Sequence, residues 1–207
     1  MKEEKDLINK ILKRIHRIRP IEPESFPNLE LYMDQVTRFM DSRLSSARRY
    51  EEDKILTKTM INNYAKNRLL PSPEKKRYSR DHLLILVFIY YFKSFLSIRD
   101  IQALLGPLTV NHFHERSGKS ILSIYQKIFD LENQEMKSFD QKIQQVYTRI
   151  QDAFGDEDDK DQAFLRKFAL ISVLSYDIYM KKALIEQIID DLPDRKTTKT
   201  GKAPGQR

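Results

Sequence analysis

Residues Leu83 to Phe92 read LLILVFIYYF, ten large apolar side chains without a break. As a helix the run is about 15 Å long, half of what the hydrocarbon core of a bilayer requires, so it is not a membrane span. It also offers no polar face to water. A segment of this kind has to be wrapped on all sides by the rest of the chain. The wrapping elements are predicted to be helices. Only five glycines occur in 207 residues, and with 32% charged residues the chain reads as short-linked helices carrying a charged surface.

Punctuation around the run supports that expectation. Ser79 stands where a helix cap is needed, and Ser97 to Asp100 has the spacing of a capping box opening another helix through Leu105, which Gly106 and Pro107 are expected to end. Upstream, Thr57 is a candidate cap for a short helix with Met60, Ile61, Tyr64 and Ala65 on one face, stopped by Pro71 and Pro73. A helical pattern from Leu31 to Leu44 precedes it, separated by the polar stretch SSARRYEEDK. At the N-terminus, Leu7, Ile8, Ile11, Leu12, Ile15 and Ile18 recur at helical spacing with Lys and Arg between them, giving a basic amphipathic helix before an extended proline-rich linker. Toward the C-terminus come apolar stripes at Ile121–Phe129 and Ile143–Ile150, the acidic connector GDEDDKD, and a strongly apolar helix from Phe164 to Ile189. The tail from Pro193 has no large apolar residue and is expected to be disordered. The expected organisation is therefore 1–29 (amphipathic helix and linker), 30–107 (a compact domain), 111–192 (a helical region) and 193–207 (tail).

Charge is concentrated in one place. The net charge is +7 and the isoelectric point about 9.4. From Arg43 to Arg80 there are eleven Lys and Arg against four Asp and Glu, a difference of 11 − 4 = +7, so the rest of the chain cancels. Such a field attracts phosphate backbones. The order helix, polar connection, short helix, Pro-bounded basic extended segment is that of a helix-turn-helix with a wing, whose second helix enters the major groove. Asn62, Asn63 and Thr59 are the candidates for base-edge contacts, because an amide donates and accepts together as an adenine edge requires. Lys58, Lys66, Lys75, Lys76, Arg77 and Arg80 are the candidates for phosphate contacts.

The stretch from Thr57 to Leu105 resembles the DNA-binding domain of MerR-type transcriptional regulators. The matching positions are Tyr64 at the end of the reading helix, Leu69-Leu70-Pro71 after it, Arg77-Tyr78-Ser79 closing the wing, and Ser97-Ile98-Arg99-Asp100-Ile101 with Leu104-Leu105 in the last helix. With LYMDQV and INNYAKNRLLPSPEKKRYSRDHL as hallmarks, the chain more narrowly resembles a bacterial family of uncharacterised function that carries a MerR-like helix-turn-helix. The resemblance implies a mainly α, MerR-like winged helix-turn-helix at 30–107 followed by a helical C-terminal region, a transcription regulator bound to duplex DNA as a homodimer, and an effector, small molecule or protein, of unassigned chemistry. Three departures stand out. RLSSARRYEEDKIL is longer than the usual turn, Thr59 and Asn62 stand where many members have arginine, and no cysteine is available for a thiolate metal sensor.

Other chemistries find little footing. NHFHE, residues 112–115 with Asn111, is the one cluster with metal-ligand residue types, and in a helical setting it reads as a solvated loop rather than a metal site. No phosphate-cradling glycine loop and no nucleophile motif occurs, so neither an enzyme nor a cofactor is expected. The charged N-terminus is no secretory signal, and a cytoplasmic protein without membrane partners is expected. The competing reading is a helical interaction module or adaptor whose basic face takes an acidic protein.

Overall fold

The computed structural model describes residues 2–115, 118–155 and 161–193. Within them the protein is mainly helical: α1 (Lys2–Ile15), α2 (Met33–Leu44), α3 (Lys58–Lys66), α4 (Arg80–Phe92), α5 (Ile98–His112), α6 (Ile121–Ala153) and α7 (Gln162–Asp190), with one antiparallel pair of short strands, β1 (Leu31–Tyr32) and β2 (Arg77–Tyr78). The chain divides into two compact units, 1–133 and 134–207, and the division falls inside α6.

The apolar run forms most of α4 and is the centre of the first unit. Leu83 to Val87 and Ile89 have no accessible surface. The surrounding layer consists of Val36 and Met40 from α2, Ile61 from α3, Ile101 and Leu105 from α5, and Ile121 and Tyr125 from the start of α6, all buried. Burying side chains of this size stabilises by roughly 1.5–3 kcal/mol each. The run emerges only at its end, where Tyr90, Tyr91 and Phe92 are half-buried. Burial without a strong partner pushes the Tyr91 hydroxyl up to about 12, with the Glu132 carboxylate adding to the effect.

Local sequence rules account for the helix starts. Thr57 Oγ1 accepts from the Met60 amide at 3.2 Å. Ser97 and Asp100 form the reciprocal capping box, Ser97 Oγ accepting from the Asp100 amide at 3.2 Å and the Ser97 amide donating to Asp100 Oδ2 at 3.3 Å. Three expectations are corrected. Leu31 and Tyr32 are strand rather than helix: Leu31 pairs with Tyr78 and Tyr32 with Arg77, and the alternation of buried Leu31 with exposed Tyr32 is that of a strand edge. The helix proper starts at Met33, with the Tyr32 amide donating to Gln35 Oε1 at 2.8 Å. Second, Gly106-Pro107 does not end α5, which runs on to His112. The residue before a proline is normally driven from helical geometry by a clash involving its Cβ. Gly106 has no Cβ, and Thr109 Oγ1 donates back to its carbonyl at 2.9 Å. Third, the proline-rich linker is not extended throughout, since Pro23–Ser25 form a turn of 3-10 helix. Ile21, Pro23 and Phe26 are buried, and Phe26 lies 5.5 Å from the Phe39 ring and 5.4 Å from Tyr125.

The two expected stripes, Ile121–Phe129 in the first unit and Ile143–Ile150 in the second, belong to one helix, because no Gly or Pro interrupts α6 between them. At the turn to α7, Gln162 Nε2 and Arg166 donate to the Phe154 carbonyl at 2.7 and 3.1 Å. Helix α7 keeps Ile189 buried but exposes Phe164, Phe168, Ile171, Tyr176, Tyr179 and Leu184, each about 60% accessible. Residues 156–160 of the acidic connector and the tail from 194 lie outside the described residues. Among those described, no helix is long and apolar enough to cross a membrane.

Candidate nucleic-acid interface

Helix α3 is divided sharply by burial. Ile61 is inaccessible and Met60, Tyr64 and Ala65 are half-buried, while Lys58, Thr59, Asn62, Asn63 and Lys66 are exposed. Thr59, Asn62, Asn63 and Lys66 follow at i, i+3, i+4 and i+7 and therefore share one face. Among the described residues neither the Asn62 nor the Asn63 side chain has an intramolecular hydrogen-bond partner, so both amides are available to a ligand. Asn67 is spent differently: its Nδ2 donates to the Asn63 carbonyl at 2.8 Å, satisfying a helix end.

The segment after α3 turns back as a small hairpin. The Arg77 amide donates to the Glu74 carbonyl at 2.8 Å, closing a two-residue turn at Lys75 and Lys76. Both have left-handed backbones, φ 48° and 64°, the geometry of a tight hairpin turn that usually carries Asn-Gly. Arg68, just past α3, has φ 55° in a position that glycine usually takes. Left-handed geometry costs a side-chain-bearing residue about 1–2 kcal/mol. Three of the four such residues among those described are cationic and lie within nine positions, from Arg68 to Lys76. Strain of this kind concentrates at functional sites. Arg68 was missed by sequence reasoning, and the missing glycine at the helix end was the available signal.

The remaining cations are partly engaged. Arg77 pairs with Glu30 at 3.3 Å, and Lys58 pairs with Asp34 on the exposed surface, where the ammonium holds the Asp34 carboxyl below its usual range. Such exposed pairs are worth little and exchange readily for phosphate. Arg80 is set apart. Half-buried at the first position of α4, it donates to the Pro27 carbonyl at 3.4 Å and lines a pocket of about 420 Å³ with Glu30, Asp81 and His114. The structure thus brings Thr59, Asn62, Asn63 and Lys66 together on α3 and puts Lys75 and Lys76 at the turn tip. Both α3 and β2 pack on α2, which holds α3 and the hairpin on one support.

The long α2–α3 connection is ordered by acids of α2 and of its own. Asp41 pairs with Arg48, and Asp53 Oδ2 accepts from the amides of Arg49 and Tyr50 at 3.2 and 2.9 Å. Lys93 Nζ reaches the Ile55 carbonyl at 3.4 Å. In the NHFHE stretch, His112 Nδ1 bonds the Lys119 carbonyl at 2.9 Å, and the His114 amide donates to Asp81 Oδ2 at 2.9 Å. No group of three or more potential metal ligands occurs among the described residues.

The family model described as "Domain of unknown function (DUF1836)" matches residues 21–128, more than half of the chain, and the chain belongs to that family. The match takes in α2 to α5, both strands and the start of α6, while α1 precedes it. No curated protein and no solved structure matches the chain.

Proposed function

We propose that this member of the DUF1836 family is a sequence-specific duplex DNA-binding protein that regulates transcription, its first unit acting as a MerR-like winged helix-turn-helix. Helix α3 lies in the major groove, with Thr59, Asn62 and Asn63 at base edges and Lys58 and Lys66 at phosphates. The Lys75–Lys76 turn and Arg77 rest on the flanking backbone as the wing. One observation carries the reading: unpartnered amides share the exposed face of α3, and two cations hold a strained turn on the hairpin beside it. A binder of this kind is a cytoplasmic protein without catalytic machinery. Arg80, held inward by the Pro27 carbonyl, contributes to the field more than to contacts.

The active species is a homodimer joined through α7. Phe164, Phe168, Ile171, Tyr176 and Tyr179, which helical spacing gathers on one side of α7, leave on the order of 600 Å² of apolar surface in water. A standard interface buries about that much per partner, and monomeric proteins rarely leave such a patch open. Phe168→Glu with Tyr179→Glu is expected to convert the protein to a monomer in sedimentation and to lower affinity for a two-fold symmetric site at least tenfold. A dimer that survives both charges would place the interface elsewhere.

Selection of the purified protein on a random duplex library, with winners titrated across salt, tests the whole reading. An enriched two-fold motif with a steep salt slope supports it; weak binding without enrichment would favour an acidic protein partner instead. Within an enriched site, Asn62→Ala should cost about 1–3 kcal/mol at one base pair and relax preference there. An equal loss on every sequence would make Asn62 a backbone contact.

A further inference from the structure

We propose that α1 is a second DNA-contacting element, whose cationic face takes phosphates beyond the site covered by α3, on the side of the α2–α3 connection. The inference rests on the DNA-binding reading and extends its footprint. Lys10, Lys13, Arg14 and Arg17 follow at i, i+3, i+4 and i+7, through α1 and the turn that continues it, and all four are exposed. Among the described residues none of them has an acidic partner. The opposite side of the helix is anchored, with Leu12 buried and Ile8 and Ile15 half-buried. By the rise of a helix the cationic row spans about 10 Å, enough for two or three phosphates of one strand at about 3.4 Å of axial advance each.

Its C-terminal end is held at two points. The Arg14 guanidinium donates to the Arg49 carbonyl at 3.5 Å, seating α1 against the connection that delivers α3. Beyond α1, the Tyr125 hydroxyl donates to the Ile21 carbonyl at 2.7 Å and Phe26 is buried, so the helix is not on a loose tether. Charge then decides what this side can attract. The connection itself is neutral, with Arg48, Arg49 and Lys54 set against Glu51, Glu52 and Asp53. The wing supplies its own cations on its side of α3. On the connection side a positive field has to come from α1, which the family match at 21–128 leaves out.

The test uses the full chain and a selected duplex in two lengths, the core site alone and the core extended by one helical turn on each side. The wild type should bind the longer duplex more tightly. Lys10→Gln, Lys13→Gln and Arg17→Gln together, which keep helix-forming side chains and leave the Arg14 anchor in place, should abolish that gain and lower the salt slope of the dimer by about four to five units. A variant whose slope and length dependence equal those of the wild type overturns the inference. Since the chain lacks cysteine, Lys13→Cys carrying an iron chelate gives a second reading without charge removal on the other three residues. Strand cleavage just outside the α3 footprint is expected, and cleavage confined to the core or absent overturns the placement. Failure of the wild type to bind any duplex would instead remove the DNA reading itself.

Discussion

Lys75→Asn with Lys76→Gly is expected to make the protein more stable and a weaker DNA binder. The two residues close a hairpin with φ 48° and 64°, conformations that a lysine adopts at a cost and Asn-Gly adopts freely. Relief at both positions, less the entropy that glycine adds to the unfolded chain, should raise unfolding free energy by about 1–2 kcal/mol. Removing two ammonium groups per protomer, four per dimer, from the backbone contact should lower the salt slope by about four units and affinity on the order of a hundredfold to a thousandfold at moderate salt. Urea midpoints and binding isotherms on one preparation read both effects. The opposite signs make the experiment informative, because a general folding defect would move both quantities downward. Loss of stability would show that the lysines do not strain the turn, and an unchanged slope would take the tip off the DNA.

That trade-off also marks where sequence patterns were enough and where they failed. The apolar run at Leu83–Phe92 had to be central because nothing in it could face water, and α4 sits where that argument requires. The caps at Thr57 and Ser97 are local chemistry, readable within four residues. The errors share a different cause. Leu31 and Tyr32 look helical in isolation and become strand because β2, some forty-five residues later, offers them a partner. Pro107 is a sound helix breaker in most contexts, and Gly106 before it removes the clash that would make it one here. For the candidate interface, residue types and helical spacing picked out the exposed face of α3. Neither could show that Arg77 and Lys58 already pair with Glu30 and Asp34, or that Arg80 turns inward to Pro27. Those are tertiary pairings with no periodic signature. Left-handed backbone at Arg68, Lys75 and Lys76 is likewise set by closure of the surrounding structure.

His82 shows how far such closure reaches into behaviour. In sequence it is an ordinary histidine near a helix start. In the fold it is 2% accessible, with its ring edge-on to Tyr78 at 5.4 Å and to Phe113 at 4.8 Å. The Ser79 amide donates to its Nδ1 at 3.0 Å, so the imidazole serves as the acceptor of a capping box and is neutral. Its Nε2 has no aligned acceptor. Burial is the main cause that lowers its pKa to about 4, with the His114 charge adding to it; the carbonyls of Ser72 and Pro71 and the Asp81 carboxylate oppose it. Above pH 6.5 the histidine is neutral in both folded and unfolded chains and contributes no pH dependence. As pH falls from 6.5 to 4, the unfolded chain binds a proton that the folded one refuses, and stability drops by an amount on the order of 3 kcal/mol. Glutamine at the third position of a helix is the usual partner in a capping box. His82→Gln should therefore keep the cap while removing this part of the acid sensitivity. Urea midpoints at pH 7, 6, 5 and 4.5 should diverge between wild type and variant, the wild type falling further. Parallel curves would assign the acid lability to carboxylates and leave His82 a packing residue. Divergence would assign part of the acid lability to the buried imidazole that packs on Tyr78.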